Sequence, residues 1–463
     1  MAKNNELDML NGALLPKILM FSLPLALTGI LQLLFNAADV IVVGKFAGST
    51  SLAAVGATSA LVNLLTGAFI GISVGVNILV ARYAGCRDDA RVGRAVHSAI
   101  ALSLVLGVVT FLLGFFLSTP MLEWMDTPDD VLALASLYLR IYFIGIPGAL
   151  IYNFAAAILR AYGDTKRPLI FLAISGVLNV FLNLFFVIVC ELDVAGVAIA
   201  TVVSQYVAVV LILICLVRQE GPAKLKLREI RLHPDEALRM IQIGLPAGLQ
   251  SVVFNISNVM VQSCVNSFGA DVIAANTAAT NIAAFTYTAM NSVFHASITF
   301  TSQNLGARRY DRVMKIFWAC QATVLLIGIP LCILSTVFGP QLLSIYVSAN
   351  DPAYDSVIAM GLIRTYYVTT PYFLCGIMDL FPGALRGMGY SSVPMILSVI
   401  GTVGMRILWI FVFFPLHRSL YFLFISYPAS WLATIIMQVI CYYFVRKKCL
   451  SAVKNPDLEK IRQ

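Results

Sequence analysis

The chain has 463 residues, of which 12% are charged and 60% are hydrophobic. Soluble domains average about 25% charged residues, and a soluble fold has too little interior to bury this much apolar surface. The composition therefore excludes a soluble enzyme, a disordered chain and a nucleic-acid-binding protein, although the formal net charge is +8.

Long stretches without Asp, Glu, Lys or Arg predict an integral membrane protein made of helices. A helix needs roughly 20 apolar residues to cross about 30 Å of hydrocarbon. The two longest gaps, 46–81 and 272–307, have no turn cluster near the middle, so we interpret each as one helix. The twelve predicted membrane helices cover roughly 17–43, 52–81, 95–117, 131–158, 168–190, 194–217, 237–267, 272–303, 314–338, 355–384, 392–414 and 419–445.

The basic residues predict the orientation of these helices. Of the 31 Lys and Arg residues, 26 fall in segments that would be cytoplasmic, whereas the outer loops hold only Lys45 and Arg418. Such an asymmetry follows the positive-inside rule, and an even number of spans places both termini in the cytoplasm. The polar start of the chain is not typical of a cleavable signal peptide. We therefore attribute the net positive charge to the membrane topology of the chain.

The sequence repeats once at a spacing near 222 residues. Leu-Arg-x-x-Gly-x4-Pro begins at Leu159 and again at Leu385, and Leu-Pro at Leu23 recurs at Leu245. The repeat predicts an N-terminal six-helix lobe (1–217), a basic cytoplasmic linker (218–236) and a C-terminal six-helix lobe (237–463). Parallel repeats of this kind are found in secondary transporters.

These motifs resemble the multidrug and toxic compound extrusion (MATE) family of bacterial membrane transporters, over nearly the whole chain. The resemblance rests on Asn36-Ala-Ala-Asp39, Ala81-Arg-Tyr-Ala-Gly, Leu159-Arg-Ala-Tyr-Gly-Asp-Thr-Lys-Arg-Pro168, Asn179-x3-Asn183, Gly196-Val-Ala-Ile-Ala-Thr201, Gly383-Ala-Leu-Arg-Gly-Met-Gly389 and Arg406-Ile-Leu-Trp409. We expect a member closer to the DinF-like than to the NorM-like branch.

The resemblance implies an all-α fold of two six-helix bundles arranged as a V, which alternates between inward-open and outward-open states. It implies export of cationic or amphipathic organic compounds across the inner membrane, in exchange for inward H⁺ or Na⁺. No cofactor beyond the coupling ion, no nucleic-acid partner and no enzymatic activity are expected. We also expect a monomer in the lipid bilayer.

Asp39 is the main candidate for the coupling residue. It is one of only two acids away from the ends of the predicted spans. A charge at membrane depth costs at least about 2.5–3.5 kcal/mol, which marks Asp39 as functional by default. Asn36 shares its helix face, and Asn179 and Asn183 share a face of the fifth helix. A carboxylate among such oxygen atoms can take up a proton or coordinate Na⁺. Simple interhelical hydrogen bonding is the alternative for the asparagines.

The first-lobe cation site of MATE transporters is similar in composition. Asp39, Asn179 and Thr201 match it, and Tyr138 and Asn153 are looser matches on the fourth helix. Asn183 departs from it, because many relatives carry Asp at that place. One carboxylate fewer leads us to favour protons slightly over Na⁺.

The second lobe offers further polar candidates for substrate contact. These are Asn255, Asn258 and Gln262 on the seventh helix, Tyr287, Asn291 and His295 on the eighth, and Asp379 and Arg406 on the tenth and eleventh. For the aromatic residues we favour core or lipid-facing packing. For Asp379 we favour a structural pair with Arg406, and a role in coupling is the alternative. No metal site other than one for Na⁺ is expected.

Pro24 lies fifteen residues before Asp39 in the first helix. Because proline removes a backbone hydrogen bond and kinks helices, we predict a hinge there that responds to the occupancy of Asp39. A lipid-linked oligosaccharide or lipid flippase of the same superfamily is the alternative function. It would need a more cationic cavity than three basic residues within spans supply.

Overall fold

The computed structural model describes residues 6–125, 127–347 and 352–454, and the fold class predicted from the sequence is confirmed. The twelve long helices are α1 Leu14–Val42, α2 Ser49–Cys86, α3 Asp89–Glu123, α4 Asp129–Ala161, α5 Lys166–Leu184, α6 Asp193–Arg218, α7 Pro234–Asn266, α8 Ala270–Gly306, α9 Tyr310–Val337, α10 Tyr354–Gly387, α11 Ser392–Leu416 and α12 Leu420–Lys454. Eleven of them are long and apolar enough to cross a membrane, and α8, with 37 residues, completes the set. Their bounds lie within six residues of the prediction except at the end of α12, which extends nine residues further, and α2 and α8 are single helices.

Several helices contain π-helical turns, in which one extra residue is inserted into the helical hydrogen-bond ladder. Such turns extend α1 over Val43–Ala47 and α5 over Phe185–Val189. In α10 the turn Thr365–Thr369 is followed by a kink at Pro371. In α11 the turn Val399–Gly404 lies directly before Arg406. The sequence pattern of apolar residues did not predict these interruptions.

The internal repeat extends to the backbone conformation. Gly48 precedes α2 with φ of 89°, and Gly269 precedes α8 with φ of 103°. At the other ends of these helices, Arg87 and Arg308 adopt φ of 56° and 57°, a left-handed conformation that residues other than glycine seldom adopt. Equivalent helices of the two halves therefore begin and end with the same turn geometry.

Contacts between residues divide the chain into two compact units. The first is the described part of Met1–Asp8 with Leu27–Gly248, and the second is Met9–Ala26 with the described part of Leu249–Gln463. Both α1 and α7 are thus divided between the two units. The division falls two residues after Pro24 in α1 and two residues after Pro246 in α7. The lobes 1–217 and 237–463 follow the sequence repeat instead, and they remain a prediction.

One helix lies at the centre of each unit. In the first unit α4 packs against α2, α3 and α6, and in the second α10 packs against the equivalent helices α8, α9 and α12. The core of the first unit includes Phe143 and Phe154 of α4, both fully buried, and that of the second includes Met378 of α10. Large apolar side chains elsewhere point outward, as a lipid environment requires: Phe116 is 71% exposed.

The start of α7 packs closely on α2 within the first unit. Gly71 and Gly75 of α2 face Gly244 and Gly248 of α7, and a Cβ added at Gly75 would lie 2.2 Å from the Met240 carbonyl oxygen. Both helices therefore carry a Gly-x3-Gly motif at the crossing, which allows backbones to approach in membrane proteins. Any larger residue there would separate the helices.

A buried polar cluster fixes the same pair of helices at one end. The Tyr83 hydroxyl donates to Glu236 Oε2 at 2.8 Å, and Arg239 Nη1 donates to the Tyr83 oxygen at 3.2 Å. Glu236 is only 6% exposed, so these bonds offset part of the cost of burying its carboxylate. The cluster holds the first turn of α7 against the last turn of α2.

In the second unit the start of α1 packs on α8 in the equivalent way. Phe21 and Phe300 meet edge to face with centroids 5.6 Å apart. Asn304 Nδ2 donates to the Met9 carbonyl oxygen at 3.1 Å, and Arg312 Nη2 donates to the Gly12 carbonyl oxygen at 2.8 Å. The segment before α1 is thereby held on the turn between α8 and α9.

Candidate functional site

The structure brings Asp39 and Asn183 together within the first unit. Asn183 Nδ2 donates to Asp39 Oδ1 at 2.5 Å and also to Asn179 Oδ1 at 3.2 Å. Asn179 Nδ2 in turn lies 3.4 Å from Thr201 Oγ1. A continuous polar chain therefore runs from α1 through α5 to α6, and it contains four of the residues that the sequence singled out.

At the buried end of this polar network, one hydrogen-bond acceptor is unused. Asn183 is fully buried, and its Oδ1 atom has no hydrogen-bond partner among the described residues. An unsatisfied buried amide oxygen costs about 1–3 kcal/mol, so this atom is disposed to meet a donor or a cation. It belongs to the side chain that also contacts the Asp39 carboxylate. A cation held by Asp39 would therefore find a further oxygen ligand in Asn183.

Two tyrosines of α4 lie near the carboxylate. Tyr138 is 8% exposed, and its ring stacks on that of Tyr142 with centroids 6.2 Å apart. Both phenol groups are within electrostatic range of Asp39. Sequence reasoning included Tyr138 but missed Tyr142, although a spacing of four residues on one helix places the two on the same face.

Two of the first-lobe candidates lie apart from this chain. Asn153 Nδ2 donates to the Ala149 carbonyl oxygen of its own helix at 2.8 Å. Asn36 is exposed on α1, whereas Asp39 is half-buried. The candidate site of the first unit is therefore Asp39, Asn179, Asn183 and Thr201, with Tyr138 and Tyr142 beside them.

In the second unit Asp379 belongs to a different network from the one predicted. It accepts a hydrogen bond from the Tyr287 hydroxyl, to which Asn291 Nδ2 also donates at 3.3 Å. The salt bridges of the described residues do not include a pair of Asp379 with Arg406. The cation within electrostatic range of Asp379 is Arg386.

Arg406 is instead held by an amide and an aromatic ring. Its Nη1 donates to Asn258 Oδ1 at 2.9 Å, and its guanidinium lies 4.3 Å from the centroid of Tyr427. A stack on an aromatic face suits the planar, weakly hydrated guanidinium, which explains how the side chain is accommodated at 5% exposure. The hydrogen bond gives Asn258 a structural partner.

A third network in the second unit contains Gln262. Asn276 Nδ2 donates to Gln262 Oε1 at 2.6 Å, and Arg364 Nη1 donates to Asn276 Oδ1 at 3.0 Å. Gln262 Nε2 donates onward to Asn266. Sequence reasoning missed Asn276, although it stands in an apolar helix where an unpaired amide would be costly.

The remaining second-lobe candidates are less connected. Asn255 is half-buried on α7. The His295 ring meets the Phe294 ring edge to face at 5.4 Å, and its backbone carbonyl accepts from Thr299. Within the described residues no group of three His, Cys, Asp or Glu side chains could hold a metal ion.

Two repeats of six helices, each with buried polar networks at membrane depth, define a multi-pass membrane protein of the transporter class. The family model MatE matches residues 24–185 and 246–412, one match in each repeat. The chain therefore belongs to the MatE family of transporters.

Curated relatives and solved structures agree with this assignment. The chain is 26% identical over 437 residues to the probable multidrug resistance protein YoeA of Bacillus subtilis (strain 168), covering 93% of each chain. It is 27% identical over 395 residues to YpnP of the same organism, also a probable multidrug resistance protein, covering 85% and 87%. An outward-facing multidrug resistance MATE family transporter has the same fold, with a TM-score of 0.87, 20% identity and coverage of 98% and 100%.

Proposed function

We propose that this protein is a secondary active antiporter that exports cationic or amphipathic organic compounds in exchange for an inward-moving cation. The observation that carries the proposal is the polar chain from Asp39 through Asn183 and Asn179 to Thr201. It pairs a carboxylate at membrane depth with an unsatisfied amide oxygen. The relatives named as multidrug resistance proteins support the export of drugs. They do not favour the flippase alternative.

The coupling ion follows from the ligands in reach of Asp39. A proton needs only the carboxylate, whereas Na⁺ prefers several oxygen ligands. Among the described residues of the polar chain, Asp39 is the single carboxylate, and Asn183 occupies the place where a second acid would strengthen a Na⁺ site. We therefore place H⁺ first and Na⁺ second as the coupling ion. The predicted topology has both termini in the cytoplasm, and we expect the transporter to act as a monomer.

Alternating access requires that ion binding and substrate binding favour different conformations. The hinge in this proposal is Pro24, because the division of α1 between the two compact units falls two residues after it. The second-lobe networks around Asp379 and Arg406 would contact the substrate or stabilise that unit. The branch within the family, DinF-like in our expectation, remains a prediction.

The test is transport by the purified protein in proteoliposomes. A fluorescent organic cation is loaded, and its movement is measured under an imposed pH gradient and, separately, under a Na⁺ gradient. We expect the pH gradient to drive transport by the wild type and Asp39→Asn to reduce it to the background of empty liposomes. Undiminished gradient-driven transport by Asp39→Asn would overturn the assignment of Asp39.

A further inference from the structure

A second polar region of the first unit lies away from Asp39, where the segment between α6 and α7 packs on the beginning of α3. The two elements line a cavity of about 560 Å³ that is open to the solvent. Its lining includes Asp89, Gly93, Arg94 and His97 from α3, and residues from Gly221 to His233 from the segment. That volume is within the usual range of about 300–1,000 Å³ for small-molecule sites.

The walls of the cavity are fixed by hydrogen bonds. The Lys226 backbone N–H donates to His97 Nε2 at 3.1 Å, and the His233 backbone N–H donates to Ser98 Oγ at 3.0 Å. His97 Nδ1 lies 2.6 Å from the Gly93 carbonyl oxygen, so the ring carries its proton on Nδ1 and accepts at Nε2. Leu225, within the segment itself, is fully buried. The connection between α6 and α7 is therefore an ordered wall.

The charges lining the cavity are strongly unequal. Five Lys and Arg side chains line it, against two carboxylates. One carboxylate, Glu229, is already paired with Lys226 at 2.9 Å. Asp89 is the single further acid in the lining. It faces the remaining cations, which are Arg94, Lys224, Arg228 and Arg231. Cations that converge on a cavity with so few counter-charges leave a positive potential that an anion would relieve.

We propose that this cavity binds an anion that carries a phosphate group. The rigid fork of an Arg guanidinium matches phosphate oxygens in pairs, and the cavity presents three arginines. The predicted topology places it at the cytoplasmic surface, where basic side chains attract anionic lipid headgroups. The phosphate could equally belong to a soluble phosphate ester, because the chemistry of recognition is the same.

The experiment uses the full-length protein in nanodiscs and separates the two sources. One arm compares its thermal stability in phosphatidylcholine alone with that in phosphatidylcholine containing phosphatidylglycerol. The other arm titrates inorganic phosphate and glycerol 3-phosphate onto protein in phosphatidylcholine nanodiscs. The test variant is Arg94→Gln with Arg231→Gln. The control is Arg218→Gln with Lys315→Gln, which removes the same charge from exposed positions outside the cavity.

We expect phosphatidylglycerol or the soluble phosphates to raise the melting temperature of the wild type and of the control. In the test variant we expect binding at least about tenfold weaker, since the charge-assisted contacts of two arginines with the phosphate are lost. A response to phosphatidylglycerol alone identifies a lipid, and a response to soluble phosphate identifies a soluble ester. Equal responses in the test and control variants, or no response of the wild type in either arm, would overturn the proposal. Arg94→Lys with Arg231→Lys keeps the charge but not the guanidinium fork, so its binding should fall between that of the wild type and that of the test variant.

Discussion

Asn183 Nδ2 donates to Asp39 Oδ1 at 2.5 Å, which joins α5 to α1 at the carboxylate that the sequence marked as functional. The same nitrogen donates to Asn179, so both hydrogens of the amide are used while its oxygen is left without a partner. The amide therefore holds the carboxylate in place and keeps an acceptor free beside it. Several measurable consequences depend on this pair.

Asn183→Asp should shift the ion preference towards Na⁺. A second carboxylate next to Asp39 adds a negative charge and an oxygen ligand, and two neighbouring carboxylates favour a bound cation. We expect the Na⁺ gradient to drive transport severalfold faster in the variant than in the wild type. The matched control is Asn153→Asp on α4, whose parent side chain bonds to its own helix. Equal Na⁺ responses in the two variants would contradict the proposed role of position 183.

Pro24→Ala should slow transport severalfold, because it restores a backbone N–H and straightens α1 where that helix passes from one unit to the other. Pro246→Ala should have a similar effect in α7. Pro330→Ala serves as the control, since this proline also lies inside a helix, α9, but the helix stays within one unit. Normal transport with unchanged ion dependence in Pro24→Ala would contradict the hinge.

The crossing of α2 and α7 can be tested through stability. A Cβ at Gly75 would meet the Met240 carbonyl oxygen and the Gly244 backbone, so Gly75→Ala must separate the helices at a cost of about 1–3 kcal/mol. Gly56 lies in the same helix, and a Cβ there would have no neighbour within 4 Å. Gly56→Ala should be neutral or slightly stabilising, by up to about 1 kcal/mol. The measurement is the melting temperature of Gly75→Ala and of Gly56→Ala in detergent. Equal melting temperatures would contradict the close approach of α2 and α7 at Gly75.

The pH dependence of anion binding should depend on His233. Burial and the nearby Arg231 and Arg94 lower the pKa of His233 below its ordinary 6.5, while Glu236 opposes them. A bound phosphodiester adds negative charge that favours the imidazolium and raises this pKa. Binding then takes up a proton, so affinity should rise as the pH falls. His97, which also faces His233, is fixed by its two hydrogen bonds.

The measurement is the stabilisation by phosphatidylglycerol between pH 7.5 and 5.5, since a phosphodiester does not itself titrate in this range. We expect it to grow towards low pH in the wild type and to remain nearly constant in His233→Gln. If the stabilisation by phosphatidylglycerol changed equally with pH in both proteins, the pH dependence would have to come from a group other than His233.

The helices and the first-lobe residues were predictable from the sequence for a simple physical reason. Charge-free stretches fix where a chain can cross a membrane, and a spacing of three or four residues fixes which side chains share a helix face. This was enough to group Asn179 with Asn183. The distance from Asn183 to Asp39 depends on how α5 and α1 are rotated against each other, which spacing alone does not determine.

Other features depended on packing between helices and were missed. Asp379 was expected to pair with Arg406, but the Tyr287 hydroxyl donates to it and Arg406 is taken up by Asn258 and Tyr427. The two residues lie on different helices, so their pairing depends on how those helices pack, which the spacing of residues along one helix does not determine. The division of α1 and α7 between the two units falls just after Pro24 and Pro246, whereas the boundaries drawn from the sequence repeat place each helix wholly in one lobe.

The central claim is that Asp39 couples transport to an ion gradient. The most direct measurement compares Asp39→Asn with Asp379→Asn in proteoliposomes, with substrate counterflow in the absence of any gradient as a measure of intact substrate movement. Asp379→Asn removes the other intramembrane acid and keeps a side chain that Tyr287 can donate to. We predict that Asp39→Asn retains counterflow but loses gradient-driven transport, while Asp379→Asn changes counterflow and gradient-driven transport by the same factor. Full gradient-driven transport by Asp39→Asn would contradict the account.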